Sequence, residues 1–289
     1  MNKFIRNILA VSLSGLLFIG GCSNKETTAP DKAVIIENAA DFTGNTGEVT
    51  LESGDTYAVI SIKDFGDIKV KLFPEGAPYA VKNFINLAES GYFNGKNIHR
   101  VMSEFMLQGG SLNGDGTGGN DFNGGSFSNE INTELRHYYG ALCYASAMGS
   151  NTCQFYIVNS KAPVEGVSLQ YEAYRDYYTS MGEQYKEIQK NYDQSSEEYG
   201  IINTYIDYYT ESVEGLQAMY DTTDADVDSK YLNGGVPFLD GCYTVFGHTV
   251  EGFDVIDKIS AVEVTANMAG EVSQPVEEII IENVAIMTA

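Results

Sequence analysis

The sequence predicts a mainly β protein, an antiparallel barrel or sandwich, interrupted by one helical insertion. Three observations indicate this class: many short β-rich runs, few helical patterns between them, and one long heptad repeat. The first pair of runs is Tyr57 to Ile62 and Ile68 to Phe73, with a turn between them. Further strands are predicted within residues 98–109 and at Ala141 to Ala147, Gln154 to Val158, Thr244 to Phe246 and Ile279 to Met287.

Two short helices are predicted within the β pattern. From Pro78 to Ser90, apolar residues recur at helical spacing, and Gly91 follows as a stop. Pro78 suits the first turn of such a helix, because the missing N–H would have no partner there. A second short helix is predicted near Asp254 to Ile259.

Residues 160–235 replace the β pattern with a seven-residue repeat. Twelve tyrosines fall between Tyr171 and Tyr231, and the repeat is carried by Tyr171, Tyr178, Tyr185, Tyr192 and Tyr199. Such a repeat predicts a helix with one apolar stripe. The capping-box pattern Ser195-Ser196-Glu197-Glu198 favours a break near Asp193 to Ser196, and therefore a helical hairpin whose stripes face each other. Two interpretations of the tyrosines stay open: packing inside the hairpin, or a surface that binds clients or a partner.

The N-terminus has the features of an export signal. Lys3 and Arg6 precede an apolar run that is too short for a typical membrane-spanning helix. The run ends in Ile19-Gly20-Gly21-Cys22, a pattern similar to that of bacterial lipoproteins, in which the cysteine carries a diacylglyceryl group. We therefore expect residues 1–21 to be a signal peptide and Cys22 to be the lipidation site.

A lipidated Cys22 predicts an exported chain, held on the extracytoplasmic face of the cell membrane by its lipid anchor only. Residues 22–56 are rich in small and polar side chains without a sustained period, so we expect a flexible tether. A short strand at Lys32 to Glu37 is the alternative for part of this segment.

The net charge of −23 argues against nucleic acid and anionic lipid headgroups as partners. The few histidines and widely spaced cysteines argue against a metal site. If Cys22 is lipidated, the remaining Cys143, Cys153 and Cys242 can form at most one disulfide within a monomer. Cys143 lies in an apolar run and is expected to be buried. We expect His137 and His248 to be solvated.

Residues 98–109 are the most informative part of the chain. They place His99, Arg100, Phe105, Met106 and Gln108 on two predicted strands with a tight turn between them. A fixed cation, an amide and an apolar floor together suit a site that grips a peptide bond. The stretch offers neither a covalent nucleophile nor a phosphate-binding pattern, and we expect His99 to have a structural hydrogen-bonding role.

An ordered series of motifs resembles the cyclophilin family of peptidyl-prolyl cis–trans isomerases. The series includes Gly66-Asp67-Ile68, Val81-Lys82-Asn83-Phe84, Phe105-Met106-Leu107-Gln108-Gly109-Gly110, Gln154-Phe155-Tyr156-Ile157, Leu239-Asp240-Gly241 and Val245-Phe246-Gly247. The resemblance implies a closed eight-stranded antiparallel barrel capped by two helices, over residues 57–289. The heptad segment, residues 160–235, is then an insertion into this isomerase domain.

The resemblance also implies a role for individual residues. Arg100 matches the catalytic arginine of the family. The matching substrate-binding residues are Phe105, Met106, Gln108, Ala145, Ser146, Gln154, Tyr156, Phe238, Leu239 and Tyr243. Four of them depart from the usual residue: Ser146 replaces asparagine, Tyr156 phenylalanine, Phe238 a frequent tryptophan, and Tyr243 a frequent histidine.

The implied function is isomerisation of X–Pro bonds in exported proteins by a membrane-anchored folding catalyst. Its partners would be unfolded or exported polypeptides that contain proline, and the reaction needs no cofactor. The alternative is a catalytically weak binding module or chaperone, in which the helical insertion binds the client or partner.

Overall fold

The computed structural model describes residues 33–36, 49–223 and 227–289. Its centre is an eight-stranded antiparallel sheet in the order β14-β2-β3-β11-β8-β10-β5-β4. The strands are β2 (Thr56–Ile62), β3 (Gly66–Leu72), β4 (Ile98–Met102), β5 (Met106–Gly109), β8 (Ala141–Tyr144), β10 (Phe155–Val158), β11 (Val245–Glu251) and β14 (Ile281–Thr288).

Alternation of apolar side chains sets the inner face of this sheet. In β2 the side chains of Ala58, Ile60 and Ile62 are buried, while the residues between them stay partly exposed. The sheet curls so far that its two edges meet at one end. There the N–H of Ile98 donates to the Ile279 carbonyl at 2.8 Å, and the N–H of Ile281 donates to the Lys96 carbonyl at 2.7 Å. Such contacts remove part of the exposed edge that an open sheet would leave.

Two helices pack their apolar faces against the same core. Helix α1 (Pro78–Glu89) begins with the expected proline and buries Val81, Phe84 and Leu87. Helix α5 (Phe253–Ser260) buries Val255, Ile256 and Ile259. The predicted fold class is therefore confirmed, although β8 ends at Tyr144 rather than Ala147 and β11 extends beyond Phe246 to Glu251.

Three small two-stranded sheets complete the β structure. They pair β6 (Phe127–Ser128) with β9 (Ser150–Asn151), β12 (Val264–Ala266) with β13 (Val272–Pro275), and β1 (Val34–Ile36) with β7 (Glu130–Asn132). Strand β1 lies in the segment expected to be a flexible tether, and its parallel pairing with β7 agrees with the short-strand alternative. Residues 1–32, with the expected signal peptide and Cys22, lie outside the described residues, as do residues 37–48.

The insertion forms a helical hairpin, as predicted. Helix α2 (Val167–Gln189) and helix α3 (Glu197–Asp221) pack along each other, and a short α4 (Val227–Lys230) leads back to the sheet. The break falls where expected, but the N-cap is Ser196 rather than Ser195: the Ser196 hydroxyl accepts from the N–H of Tyr199 at 3.1 Å. Among the described residues, no helix combines the length and hydropathy that crossing a membrane requires.

The two helical stripes face each other through tyrosine rings. Tyr178 and Tyr185 of α2 lie 5.8 Å and 5.6 Å from Tyr209 of α3, measured between ring centroids. Tyr185 also stacks on Tyr205 at 4.8 Å with an interplanar angle of 14°. Ile202 of α3 is also buried. Aromatic pairs of this kind stabilise by about 0.5–1.5 kcal/mol beyond their buried area, so packing inside the hairpin explains Tyr178 and Tyr185 of the repeat.

Candidate active site

The hairpin of β4 and β5 carries the predicted cation and the first part of the apolar pocket. Arg100 stands opposite Gln108 in the register, and its Nη1 donates to the Gln108 Oε1 at 3.3 Å. Glu104 takes a positive φ of 55° in the turn, a conformation that few residues other than glycine adopt. Its carboxylate accepts from the N–H groups of Lys161 and Ala162 at 3.0 Å and 3.1 Å, which ties the turn to the start of the insertion.

A chain of side-chain amides runs from Arg100 along the floor of the site. The Nε2 of Gln108 donates to the Oε1 of Gln154 at 3.1 Å, and the Nε2 of Gln154 donates to the Gly116 carbonyl at 2.9 Å. Each amide oxygen accepts from the preceding donor, so the chain fixes both amide orientations. The structure thus brings Arg100, Gln108 and Gln154 together, as the sequence predicted.

The predicted apolar residues also meet in one cluster. Met106 and Tyr156 are buried, and five partly buried apolar residues belong to the same cluster: Phe105, Ala145, Phe238, Leu239 and Tyr243. Phe105 stacks on Phe238 with ring centroids 5.8 Å apart, and the Arg100 guanidinium lies 5.8 Å from the Phe105 ring centre. The Arg100 cation therefore lies beside a cluster of apolar and aromatic side chains.

Ala145 and Ser146 follow the end of β8. The N–H of Ala145 donates to the Gln154 carbonyl at 3.0 Å, which continues the pairing with the neighbouring segment by one residue. The Ser146 hydroxyl is buried and has no hydrogen-bond partner in the structure. These two residues lie beside the amide chain, at the place where the resemblance implies pairing with a bound peptide.

Glu271 is a site residue that the sequence did not indicate. It lies after the turn between β12 and β13, and its carboxylate grips the guanidinium of Arg100 through both oxygens. Asn267 shapes this turn, since its Oδ1 accepts from the N–H groups of Ala269 and Glu271, both at 3.0 Å. No local motif could have found Glu271, because 171 positions separate it from Arg100.

The expectation that His137 and His248 are solvated is wrong, since both side chains are fully buried. His137 places its Nδ1 2.7 Å from the Asp240 Oδ1 and its Nε2 2.9 Å from the Tyr156 hydroxyl. His248 places its Nδ1 2.8 Å from the Thr249 carbonyl oxygen. Sequence spacing gave no sign that Asp240 is the partner of His137, because the fold brings the two residues together across 103 positions.

Burial sets the charge state of several groups around the site. Burial and the nearby Arg100 lower the pKa of His99 to about 4, and burial lowers the pKa of His248 to about 4. Burial alone would raise the pKa of Asp240, but hydrogen bonding to His137, with the nearby positive charges, lowers it below its ordinary value. Asp240 is therefore an ionised carboxylate inside the protein.

The three cysteines that the structure describes offer no activated nucleophile. Cys143, Cys153 and Cys242 are free and buried, so none of these three forms a disulfide. Burial raises the pKa of each thiol, to about 12 for Cys242, which keeps all three protonated near neutral pH. Within residues 33–36, 49–223 and 227–289, no three metal-ligating side chains converge. The arrangement fits chemistry in which hydrogen-bond donors and an apolar surface act on a bound peptide without cleaving it.

Comparison with known proteins agrees with this class of protein. The model for the cyclophilin-type peptidyl-prolyl cis–trans isomerase family matches residues 57–183 and 174–286. A putative peptidyl-prolyl cis–trans isomerase of Staphylococcus haemolyticus is 32% identical over 223 residues, covering 76% of this chain and 86% of the relative. The chain belongs to the cyclophilin family of peptidyl-prolyl cis–trans isomerases, and the predicted enzyme class is confirmed.

Two further comparisons define the extent of the likeness. A putative bifunctional phosphatase/peptidyl-prolyl cis–trans isomerase of Streptococcus pyogenes is 34% identical over 233 residues, but these cover only 38% of that relative. The crystal structure of a cyclophilin-type isomerase from Cryptosporidium parvum superposes with a TM-score of 0.51 at 22% identity, covering 81% of this chain and 99% of that one. That protein has also been crystallised in the presence of the dipeptide Ala-Pro.

Proposed function

We propose that the apolar cluster around Phe105, Met106 and Tyr156 binds the proline ring of a peptide, and that Arg100 is the catalytic residue. The observation that carries this proposal is the position of the Arg100 guanidinium beside that cluster, 5.8 Å from the Phe105 ring centre. Its Nη1 contacts the Gln108 oxygen, while Nε and Nη2 are held by Glu271. One edge of the cation is thus fixed by the protein, and the Nη1 side lies toward the pocket residues.

This geometry suits the barrier that the reaction must lower. Rotation about a peptide bond costs about 18–20 kcal/mol, because resonance gives the C–N bond double-bond character. A donor near the prolyl nitrogen stabilises the twisted state, in which the nitrogen becomes pyramidal and resonance is lost. Arginine suits the task because its charge is permanent and its donors form a rigid fork. Each ~1.36 kcal/mol gained only in the twisted state is worth about tenfold in rate.

The remaining site residues hold the substrate while the bond rotates. Met106 and Tyr156 form the floor under the ring, and the wall consists of Phe105, Phe238, Leu239 and Tyr243. Gln108 and Gln154 present amide groups to the substrate backbone, and Ala145 and Ser146 offer main-chain groups for pairing with it. In this scheme the ring stays fixed and the carbonyl that precedes proline swings.

A proline-peptide isomerisation assay on the full chain tests these roles. We expect Arg100→Ala to lower kcat/KM by about a hundredfold or more, as loss of a charged donor to the transition state does. The activity of Arg100→Lys should lie between that of Arg100→Ala and that of the unaltered chain. Arg175→Ala is the matched control, because Arg175 lies on α2 and donates to Gln217 at 2.8 Å. Equal activity of Arg100→Ala and the unaltered chain would remove Arg100 from the mechanism.

We propose further that the enzyme acts on exported polypeptides while anchored by lipid at Cys22. The support is the charged and apolar pattern of residues 1–21 with the following cysteine. Expression in a bacterium that processes lipoproteins should place the chain in the membrane fraction with a diacylglyceryl-modified N-terminus. Cys22→Ser should abolish the modification seen by mass spectrometry. Unmodified Cys22 in the purified membrane protein would refute the anchor.

A second function, client binding by the hairpin, is favoured by apolar side chains exposed around its turn. Ile188, Tyr192 and Ile201 are 44%, 42% and 39% exposed, so an unfolded apolar segment of a client could bury them. Replacing all three with serine should weaken the ability of the chain to keep an unfolded protein from aggregating. Leu169→Ser is the control, since Leu169 is 70% exposed near the other end of α2. Equal protection by both variants would contradict a client-binding turn.

A further inference from the structure

The helical hairpin and the proline pocket share one buried carboxylate. Asp240 directly follows the Pro237–Leu239 turn that forms the pocket wall, and its side chain is fully buried. Its Oδ2 accepts from the hydroxyl of Tyr171, at the start of α2, at 2.6 Å and also from the hydroxyl of Tyr231, after α4. Both donors belong to the insertion. The same oxygen lies 3.9 Å from the Arg136 Nη1, so loss of both hydroxyls would remove its two short hydrogen bonds and leave this longer ion pair.

The other oxygen of the same carboxylate leads to the floor of the pocket. Asp240 Oδ1 accepts from the backbone N–H of His137 at 2.8 Å and lies 2.7 Å from the His137 Nδ1. Since an ionised carboxylate can only accept, Nδ1 carries the proton of this bond. The far side of the ring, Nε2, is hydrogen bonded to the Tyr156 hydroxyl, and the two rings stack at 6.1 Å with a 13° interplanar angle.

Two further contacts join the hairpin to the pocket independently of the carboxylate. Tyr174 of α2 stacks on Phe238 at 5.6 Å with a 22° interplanar angle, and Phe238 in turn stacks on Phe105. Gly215 of α3 lies so close to Gly241 that a Cβ on Gly215 would stand 1.9 Å from the Gly241 carbonyl oxygen. Hydrogen bonds, aromatic stacking and backbone contact thus hold the helical hairpin against residues 238–241.

From these contacts we infer that the helical hairpin positions residues of the active site. Tyr171 and Tyr231 are positioning residues: through Asp240 and His137 they hold the Tyr156 ring in the orientation that binds proline. This inference rests on the proposed role of the pocket in isomerisation. It also assigns a function to the Tyr156 hydroxyl, where the family usually has phenylalanine. The added hydroxyl is the point at which the pocket floor connects to His137.

A double-mutant cycle tests this coupling with little change in side-chain volume. Tyr171→Phe and Tyr231→Phe together remove the two donors from the insertion, and Tyr156→Phe separates the pocket floor from His137. In the native background the double change should lower kcat/KM by about tenfold, measured well below the melting temperature. In the Tyr156→Phe background the same change should cost less than about twofold, because the connection is already cut. Tyr185→Phe, within the hairpin but paired with Tyr205, should leave kcat/KM unchanged in both backgrounds.

An independent readout separates failure of this inference from failure of the proposed function. The 13C-methyl resonance of the buried Met106 should shift in the Tyr171→Phe/Tyr231→Phe chain, whether or not peptide is turned over. An equal loss of kcat/KM in both backgrounds, or an unchanged Met106 resonance, would overturn the coupling. The role of Arg100 in catalysis is tested separately by Arg100→Ala, so the two failures can be told apart. A lowered melting temperature with unchanged kcat/KM would show that the two hydroxyls stabilise the fold alone, and would also overturn it.

Discussion

Arg100 and Glu271 form a two-point ion pair across the edge of the site: Nε lies 2.7 Å from Oε1, and Nη2 donates to Oε2 at 2.8 Å. Both side chains are partly shielded from solvent, with 24% and 13% exposed. A bidentate carboxylate holds the planar fork in one orientation, which a single contact would not do. The pair therefore determines which edge of the cation is available to the pocket.

Removal of this pair should lower activity with little effect on stability. We expect Glu271→Ala to reduce kcat/KM by about three- to tenfold, because the fork loses its fixed orientation. Glu271→Gln should retain more activity, since an amide oxygen still accepts one hydrogen bond. The melting temperature should change little, as partly exposed ion pairs contribute about 0–1 kcal/mol. Higher activity in both variants would show instead that the carboxylate weakens the action of Arg100 on the substrate.

The close backbone contact at Gly215 predicts that packing of the helical hairpin against the pocket residues depends on this glycine. Gly215→Ala places a methyl group against the Gly241 carbonyl, so the helix must shift. We therefore expect the free energy of unfolding to fall by about 2–4 kcal/mol. Isomerase activity should also fall. Gly200 is the matched control on the same helix, because a Cβ there meets no neighbour. Gly200→Ala should stabilise by up to about 1 kcal/mol through helix propensity. Chemical denaturation measures both, and an unaffected Gly215→Ala protein would contradict the close contact.

The partly buried His99 and the fully buried His248 predict a loss of stability on mild acidification. In the folded protein the pKa values of His99 and His248 are lowered to about 4, whereas their ordinary value is 6.5. As the pH falls from about 6.5 to about 4, the unfolded chain takes up these protons and the folded chain does not, so the free energy of unfolding decreases. Each histidine accounts for about 3 kcal/mol at most over that window. Urea unfolding at several pH values measures the decrease.

A variant isolates one of these contributions. His248→Gln removes one proton uptake on unfolding, so the dependence of unfolding free energy on pH should become shallower by about one proton between pH 6 and 5. His99 and His248 can also be followed directly through the NMR shifts of their ring protons. Titration of either ring near its ordinary pKa in the folded protein would contradict the burial described here.

The three buried cysteines should react slowly in the native protein. Cys143, Cys153 and Cys242 are free and 0–2% exposed, and burial raises the pKa of each thiol. Only the thiolate is nucleophilic, so an alkylating reagent should modify these thiols at neutral pH only after the chain unfolds. Mass spectrometry with and without urea counts the modified residues. Rapid labelling of the folded protein at any of the three would show that this part of the core opens readily.

Sequence reasoning succeeded where the chemistry is carried by neighbours in the chain. One β-hairpin, formed by β4 and β5, carries Arg100, Phe105, Met106 and Gln108. The two-residue period of a strand and a tight turn therefore already bring these side chains to one surface. The heptad repeat likewise predicted the helical hairpin, because helix packing follows local spacing. The cap at Ser196 was missed by one residue, since Ser195 instead bonds Asp193 through its hydroxyl and its N–H.

Sequence reasoning failed where a polar residue finds its partner through the fold. His137 was expected in solvent because it has no complementary neighbour along the chain, yet it is buried with Asp240. Glu271 lies after a hairpin turn without any motif, and only the packing of β13 beside β4 brings it to Arg100. Asp240 was visible only as the middle of a turn motif. Of its two tyrosine donors, Tyr171 was assigned to the heptad stripe and Tyr231 was given no role. Burial and long-range pairing, which these residues depend on, leave no periodic pattern.

The stacked rings that run from Phe105 through Phe238 and Tyr174 into the hairpin have an optical consequence. The chain has twenty tyrosines and no tryptophan, so its intrinsic emission comes from tyrosine. Phe238→Trp would introduce a single acceptor for excitation energy at the junction of the two parts, fed by Tyr174 and its neighbours. The sensitised emission of that tryptophan would report, in real time, whether the helical hairpin stays packed against residue 238 while a peptide binds and dissociates.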